Sequence, residues 1–161
     1  MKVALLTERA DIALGGAERS VRDLAEELNR RGLDVTIVAA AGDNRGDAAH
    51  ILCPDRKGKR TALAIYEKAL EKHLQSRRYD LIHSTLPILS ADVYQPRGGS
   101  YREAMLQNIR SYSNPAVRIL KRTFHFLNHR RTEYMKAEEN LLRINQKVIV
   151  AALSKYVKEH F

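Results

Sequence analysis

The stretch that most restricts the fold is residues 2–41, where the apolar runs "KVALLT" (2–7) and "DVTIVAAA" (34–41) flank "LGGAERSVRDLAEELNRRG" (14–32). A short run that is apolar at nearly every position suits a strand covered on both faces, as strands of parallel sheets are. Between the runs, Ala17, Val21, Leu24, Ala25 and Leu28 recur at intervals of three and four, so one side of a helix packs on that sheet. Gly32 stands at the C′ position, where a left-handed residue closes a helix. Parallel strands need such a crossover, and it is right-handed.

The alternation continues. "AHILCP" (49–54) reads as a third strand and the polar "DRKGKR" (55–60) as a surface loop. Leu63, Tyr66, Leu70, His73 and Leu74 carry helical spacing, "YDLIHST" (79–85) has the apolar centre of a buried strand, and Pro87 precedes a shorter extended piece, "ADVYQ" (91–95). After "PRGGSY" (96–101), two helices are expected at about 101–112 and about 116–144, parted at Asn114-Pro115. "KVIVAAL" (147–153) supplies the last strand, and Ser154 caps a final short helix. The expected fold is α/β: a Rossmann-like, doubly wound, mostly parallel sheet flanked by helices, with ligands outside the carboxyl ends of the strands.

A chain of 161 residues, 44% of them hydrophobic, fills one core, so residues 1–161 are expected to form a single domain. The single cysteine, Cys53, has no disulfide partner and no Cys/His cluster around it, which fits a buried thiol in a reducing compartment. The apolar run after Lys2 is too short for the core of a signal peptide, and the longest apolar run, Val148 to Leu153, is far below the roughly 20 residues that span a bilayer. The expected location is the cytoplasm.

Gly15 and Gly16 stand where a strand hands over to a helix. A helix start presents unpaired N–H groups and the positive end of the dipole, and glycines there let an anion such as phosphate approach the backbone. A tight turn at positive φ is the alternative role for the pair. The dinucleotide pattern G-x-G-x-x-G is absent, which disfavours an ordinary nicotinamide or flavin site. No serine nucleophile elbow, convincing carboxylate pair or Cys-His arrangement supports hydrolysis.

"GGAERSVRDLAEELNRRGLDVTIV" resembles the opening of family 4 glycosyltransferases, retaining enzymes built from two Rossmann-like domains that face a cleft (a B-type fold). "YDLIHSTLPI" is similar to their later buried strand, and "NQKVIVAALSKYVKEHF" to the last strand and helix of their N-terminal domain. Within that family, "LPILSADVYQPRGGSYREAM" followed by basic helices most resembles lipopolysaccharide core glycosyltransferases. The resemblance implies an N-terminal domain that binds a glycolipid or saccharide acceptor. Backbone amides at Gly15, Gly16 and Ala17 would reach the diphosphate of a nucleotide-sugar donor. A C-terminal domain would hold the nucleotide and most of the donor sugar. The chain ends at Phe161, about where family members cross to that second domain, so this stretch alone is expected not to turn over, as a truncated piece or a natural fragment.

The resemblance also implies that positive groups stabilise the leaving diphosphate beside a pre-positioned acceptor. No D-x-D motif occurs, in keeping with metal-independent transfer; no metal site and no cofactor beyond the donor substrate are expected. Candidate catalytic residues are Glu18, His83 and Arg97. Glu18 either receives a substrate hydroxyl or forms an i,i+4 surface pair with Arg22, and His83 either faces the cleft from a strand end or is a satisfied interior histidine. Many family members carry a histidine after the next strand, whereas this chain reads "QPRGGSY" there. Arg97 is therefore expected to face an anionic part of the substrate, with Gly98 and Gly99 permitting close approach. Asp92 is either a cleft residue on the acceptor side or a turn residue.

The net charge of +9 is concentrated: residues 94–131 hold eight Lys/Arg against one acidic residue. On one continuous helix, "AVRILKRTFHFLNHRR" (116–131) places Arg118, Lys121, Arg122, His125 and His129 in one sector, with Val117, Leu120, Phe124 and Leu127 opposite, and Ile119 and Phe126 beside the basic sector. With Arg130 and Arg131, this face is expected to meet an anionic membrane, as a peripheral protein on the inner leaflet would. Nucleic acid is the rival polyanion, but the segment has no zinc, helix-turn-helix or RNA-sheet signature. A noncatalytic module that binds an anionic membrane or nucleic acid is the competing class.

Overall fold

A computed structural model describes residues 1–11, 15–42, 49–54, 61–124 and 128–161, without the side chains of residues 121, 122 and 124. The described elements run β1 (Lys2–Arg9), α1 (Gly16–Arg30), β2 (Asp34–Ala41), β3 (Ala49–Ile51), α2 (Leu63–Ser76), β4 (Leu81–Ser84), β5 (Val93–Tyr94), α3 (Tyr101–Arg110), α4 (Pro115–Phe124), α5 (His129–Ile144), β6 (Ile149–Val150) and α6 (Lys155–Lys158). The sheet has the order β3-β2-β1-β4-β5-β6, and every pairing is parallel. This is the doubly wound Rossmann order, in which the chain leaves β1 for neighbours on either side.

β1 alternates between two cores, as the two-residue period of a strand requires. Val3 and Leu5 pack with Val21 and Ala25 of α1, whereas Ala4 and Leu6 pack with Leu63, Tyr66 and Leu70 of α2 and with Tyr134 of α5. The Tyr66 hydroxyl donates to the Val38 carbonyl at 2.7 Å, which pins α2 to the sheet. At the end of α1, Gly32 adopts φ +84. Its N–H donates to Asn29 O at 2.9 Å and that of Leu33 to Leu28 O at 3.1 Å, a Schellman closure. Ser154 caps α6 by accepting from Val157 N at 3.2 Å.

Several boundaries differ from the sequence expectation. β1 runs two residues longer than 2–7 and carries Glu8 and Arg9 into the strand. The runs at 49–54, 79–85, 91–95 and 147–153 contribute only two to four residues each to the sheet. The helix expected over 116–144 is two helices: the Asn128 side chain accepts from Arg131 N at 3.2 Å and starts a new one. Asparagine is a strong N-cap, and that local bond competes with helix continuation. The basic residues of 116–131 therefore do not share one continuous helical sector. Cys53 is half-buried rather than buried. Among the described residues, no helix is long and apolar enough to cross a membrane.

Candidate functional site

In a doubly wound sheet the crevice forms where neighbouring connections leave in opposite directions, here between the carboxyl ends of β1 and β4. A cleft of about 320 Å³ opens there, lined by Glu8 and Arg9 from β1, Glu18 from α1, Thr85 and Leu86 after β4, and Pro96 through Gly99 after β5, with Tyr101 of α3 on its wall. A smaller cavity of about 180 Å³ runs along α1 and shares Thr85 and Arg97 with it.

The start of α1 borders this cleft. Gly15 occupies the N-cap with extended backbone; a glycine has no capping side chain, and a Cβ there would lie 3.5 Å from Glu18 Oε2. A Cβ on Gly16 would meet nothing within 4 Å. Gly15 is extended and Gly16 helical, so neither lies in the left-handed region, which corrects the tight-turn reading. What the pair provides is the absence of cover: Gly15, Gly16 and Ala17 are exposed, and the first amides of a helix have no acceptor within it.

Arg97 reaches across the cleft floor. Its guanidinium donates to Thr7 Oγ1 at 3.1 Å and lies 3.9 Å from the Glu18 carboxylate. Burial pushes its pKa below the ordinary arginine value, while Glu18 opposes that shift. Glu18 does not form the expected surface pair with Arg22, which bonds Glu26 at 3.2 Å instead. The Glu18 side chain is only 17% exposed and faces Arg97, so cleft geometry prevails over helical spacing. Gly98 is open to the cleft. Gly99 sits at φ +87, where a Cβ would lie 2.7 Å from His160 Nδ1, so both its backbone and its neighbour require glycine.

Two candidates lie elsewhere. His83 is half-buried within β4, its Nε2 bonded to Gln95 Oε1 at 2.8 Å, and burial lowers its pKa. Of the two readings it is the hydrogen-bonded one; His83 does not line the cleft, which begins two residues on at Thr85. Asp92 precedes β5 at the opposite end of that strand; its carboxylate accepts from Ile82 N at 2.7 Å, and its own N–H donates to Ile82 O at 2.8 Å. It latches β5 to β4 and does not line the cleft.

Glu8, Arg9, Thr85 and Tyr101 line the cleft and escaped the sequence reading. The signal for the first two was the abrupt change from apolar to charged in "LLTER" at a strand end. Arg130, expected on a membrane face, turns inward: it bonds Glu8 Oε2 at 2.6 Å and the Thr61 carbonyl at 3.2 Å, and its guanidinium stacks 4.8 Å from the Tyr134 ring centre.

On α4, Arg118 is exposed and donates to the Tyr112 carbonyl at 2.6 Å. Ile119 and Leu120 are 69% and 57% exposed, so Leu120 does not pack on the domain as its helical position suggested; Val117 is half-buried. His129 is exposed and Arg131 half-buried. His125, Phe126 and Leu127 lie outside the described residues, as do the side chains of Lys121, Arg122 and Phe124. Among the described residues, no group of three or more His, Cys, Asp or Glu side chains is arranged to hold a metal ion.

The family model described as Glycosyltransferase Family 4 matches residues 14–161. No curated protein matches the sequence. Among solved structures, the crystal structure of WaaG, a glycosyltransferase involved in lipopolysaccharide biosynthesis, is similar with a TM-score of 0.62 and 18% identity. The likeness covers 86% of this chain and 35% of that one, so the chain spans about a third of WaaG's length. At that identity the likeness is one of fold.

Proposed function

This chain belongs to glycosyltransferase family 4, and from that premise we propose that it is the acceptor-side Rossmann-like domain of a retaining glycosyltransferase, transferring sugar from a nucleotide-sugar donor to a glycolipid or saccharide acceptor of the lipopolysaccharide type. The observation that carries this reading is that the start of α1 stands beside the cleft: Gly15, Gly16 and Ala17 are exposed, Ala17 lines the smaller cavity with Arg97, and Glu18 of the first turn faces the Arg97 guanidinium. In this reading the open amides meet the donor diphosphate, and Arg97 adds positive charge as the glycosidic bond breaks, so no metal ion is called for. Turnover then requires a second domain that holds the nucleotide.

The exposed pair Ile119 and Leu120 next to Arg118 supports peripheral attachment of α4 to an anionic leaflet, where apolar groups enter the headgroup region and cations remain above it. Such attachment would bring a lipid-linked acceptor to the cleft. A noncatalytic anion-binding module is the competing reading.

The test joins this domain to its donor-holding half and assays transfer from a panel of nucleotide sugars to deacylated lipopolysaccharide core oligosaccharides. Gly16→Asp places a carboxylate in the space where nothing lies within 4 Å and sets it against the diphosphate. Turnover is expected to fall at least tenfold, the order of one lost charge-assisted contact. Undiminished turnover in Gly16→Asp rejects the diphosphate role, and absence of transfer from every donor by the joined enzyme favours the module.

A further inference from the structure

Glu8 contains an oxygen for which neither the fold nor the donor chemistry above has a use. The residue is the last but one of strand β1 and lines the cleft. Arg130 holds one carboxylate oxygen, Oε2, at 2.6 Å. Arg130 is in turn fixed by the Thr61 carbonyl and by the hydroxyl and ring of Tyr134. The other oxygen, Oε1, is buried and has no hydrogen-bond partner among the described residues. A desolvated carboxylate oxygen without a donor is costly, and a donor from outside the chain, a water or a ligand hydroxyl, relieves that cost.

The surroundings restrict what that donor is. Glu8 acts electrostatically on Arg97 and Tyr101, so the orphan oxygen belongs to the same group of side chains as the cleft floor. An oxyanion is repelled there, because the oxygen it would meet is itself anionic. A hydroxyl is suited: it donates to a carboxylate while its own oxygen accepts from a guanidinium. The cleft pairs carboxylates with guanidiniums, Glu8 with Arg130 and Glu18 with Arg97, and so presents acceptors and donors side by side. A sugar ring offers both on adjacent carbons.

We propose that Glu8 Oε1 is the hydroxyl-binding group of an acceptor subsite, and that Arg130, from the first turn of α5, is the positioning residue that aims it. The proposal rests on the acceptor-side reading above and deepens it: the deep corner of the cleft recognises a sugar hydroxyl, whereas the helix start recognises phosphate. In Glu8→Gln, Arg130 retains the amide oxygen and the amide nitrogen is left in the place of Oε1, which turns an acceptor into a donor with little change in shape.

The experiment follows the backbone amide shifts of Gly98 and Gly99 in the 161-residue chain during titration with two probes, deacylated lipopolysaccharide core oligosaccharide and inorganic pyrophosphate. Glu8→Gln is expected to weaken the oligosaccharide about tenfold or more, the scale of a hydrogen bond to a charged group, and to leave pyrophosphate binding unchanged or tighter. Arg130→Lys, which keeps the charge but loses the fork that aims the carboxylate, is expected to weaken the oligosaccharide alone and by less. Equal oligosaccharide affinity in Glu8→Gln and the wild type overturns the proposal, as does parallel loss of both probes, which marks a purely structural role. A wild-type chain that binds pyrophosphate and no oligosaccharide overturns the acceptor-side reading itself.

Discussion

Replacing Gly99 with alanine probes the loop that carries Arg97 to the cleft, and a second glycine calibrates the result. Gly99 and Gly32 have nearly the same backbone, φ +87 and φ +84, but opposite surroundings. A Cβ at Gly32 would meet nothing within 4 Å, whereas one at Gly99 would lie 2.7 Å from His160 Nδ1 and 3.0 Å from Cε1. Left-handed backbone alone costs an L-residue about 1–2 kcal/mol. His160 has no easy retreat: its Nδ1 is buried, and its ring meets Tyr156 edge-on with centroids 4.4 Å apart. Forcing a methyl against it adds about 1–3 kcal/mol of overpacking. For a domain of this size, where each kcal/mol moves Tm by about 2–4 °C, Gly32→Ala is expected to lower Tm by about 2–8 °C and Gly99→Ala by about 4–20 °C. Gly98→Ala, with open space and no left-handed φ, should stay within about 0.5 kcal/mol of the wild type. In thermal melts followed by circular dichroism, the double variant Gly99→Ala/His160→Ala should be less destabilised than the sum of its singles, because the contact is gone. A Gly99→Ala chain no less stable than Gly32→Ala, or strict additivity with His160→Ala, refutes the close packing of His160 on the loop that carries Arg97.

Burial holds His83 below the ordinary histidine value of 6.5, so the unfolded chain takes up the proton first: the stability contributed by the neutral ring is present above that value and is lost as pH falls toward the folded pKa. Urea melts from about pH 8 to 5 should show a shallower loss in His83→Gln, and an unchanged slope rejects the assignment. Asp92→Ala removes the acceptor for Ile82 N and is expected to cost about 1 kcal/mol in chemical denaturation while leaving pyrophosphate binding intact; weakened binding would place Asp92 in the site after all. Ile119→Asp/Leu120→Asp should reduce sedimentation with anionic phosphatidylglycerol vesicles at least tenfold, since burying one such side chain contributes roughly 1.5–3 kcal/mol. Vesicle binding equal to the wild type would show that the exposed pair on α4 does not enter the bilayer.

What the sequence made legible follows from the range of the forces involved. The order of strands and helices is written in local periodicity, and a parallel sheet with covered faces leaves continuous apolar runs that can hardly be read otherwise. Strand length is a different matter: β5 and β6 pair over two residues each, although the apolar runs around them are longer, because ladder contacts depend on a neighbour far away in the chain. The break before α5 was written in Asn128, whose capping bond outweighs the helical pattern on either side of it. For the cleft, the glycines and Arg97 stood out because their residue types are unusual for their positions.

The partners of Glu18 and Arg130 were not legible, because a charged residue on a helix reads as solvated until its partner is known. Both partners are remote in sequence: Arg97 for Glu18, and Glu8, from the opposite end of the chain, for Arg130. Half-buried ion pairs of this kind carry no periodic signature, yet removing one member leaves the other poorly solvated, which makes them strongly coupled in the fold. The consequence for the site is directional. Arg130 stands two residues after Asn128, the cap that begins α5, so the same short stretch that ends the basic segment also fixes the carboxylate at the floor of the cleft. Assigning every cation of 116–131 to one surface divides them wrongly: Arg130 turns inward to the carboxylate that lines the cleft, to whose floor Arg97 also reaches, whereas Arg118 of α4 stays exposed.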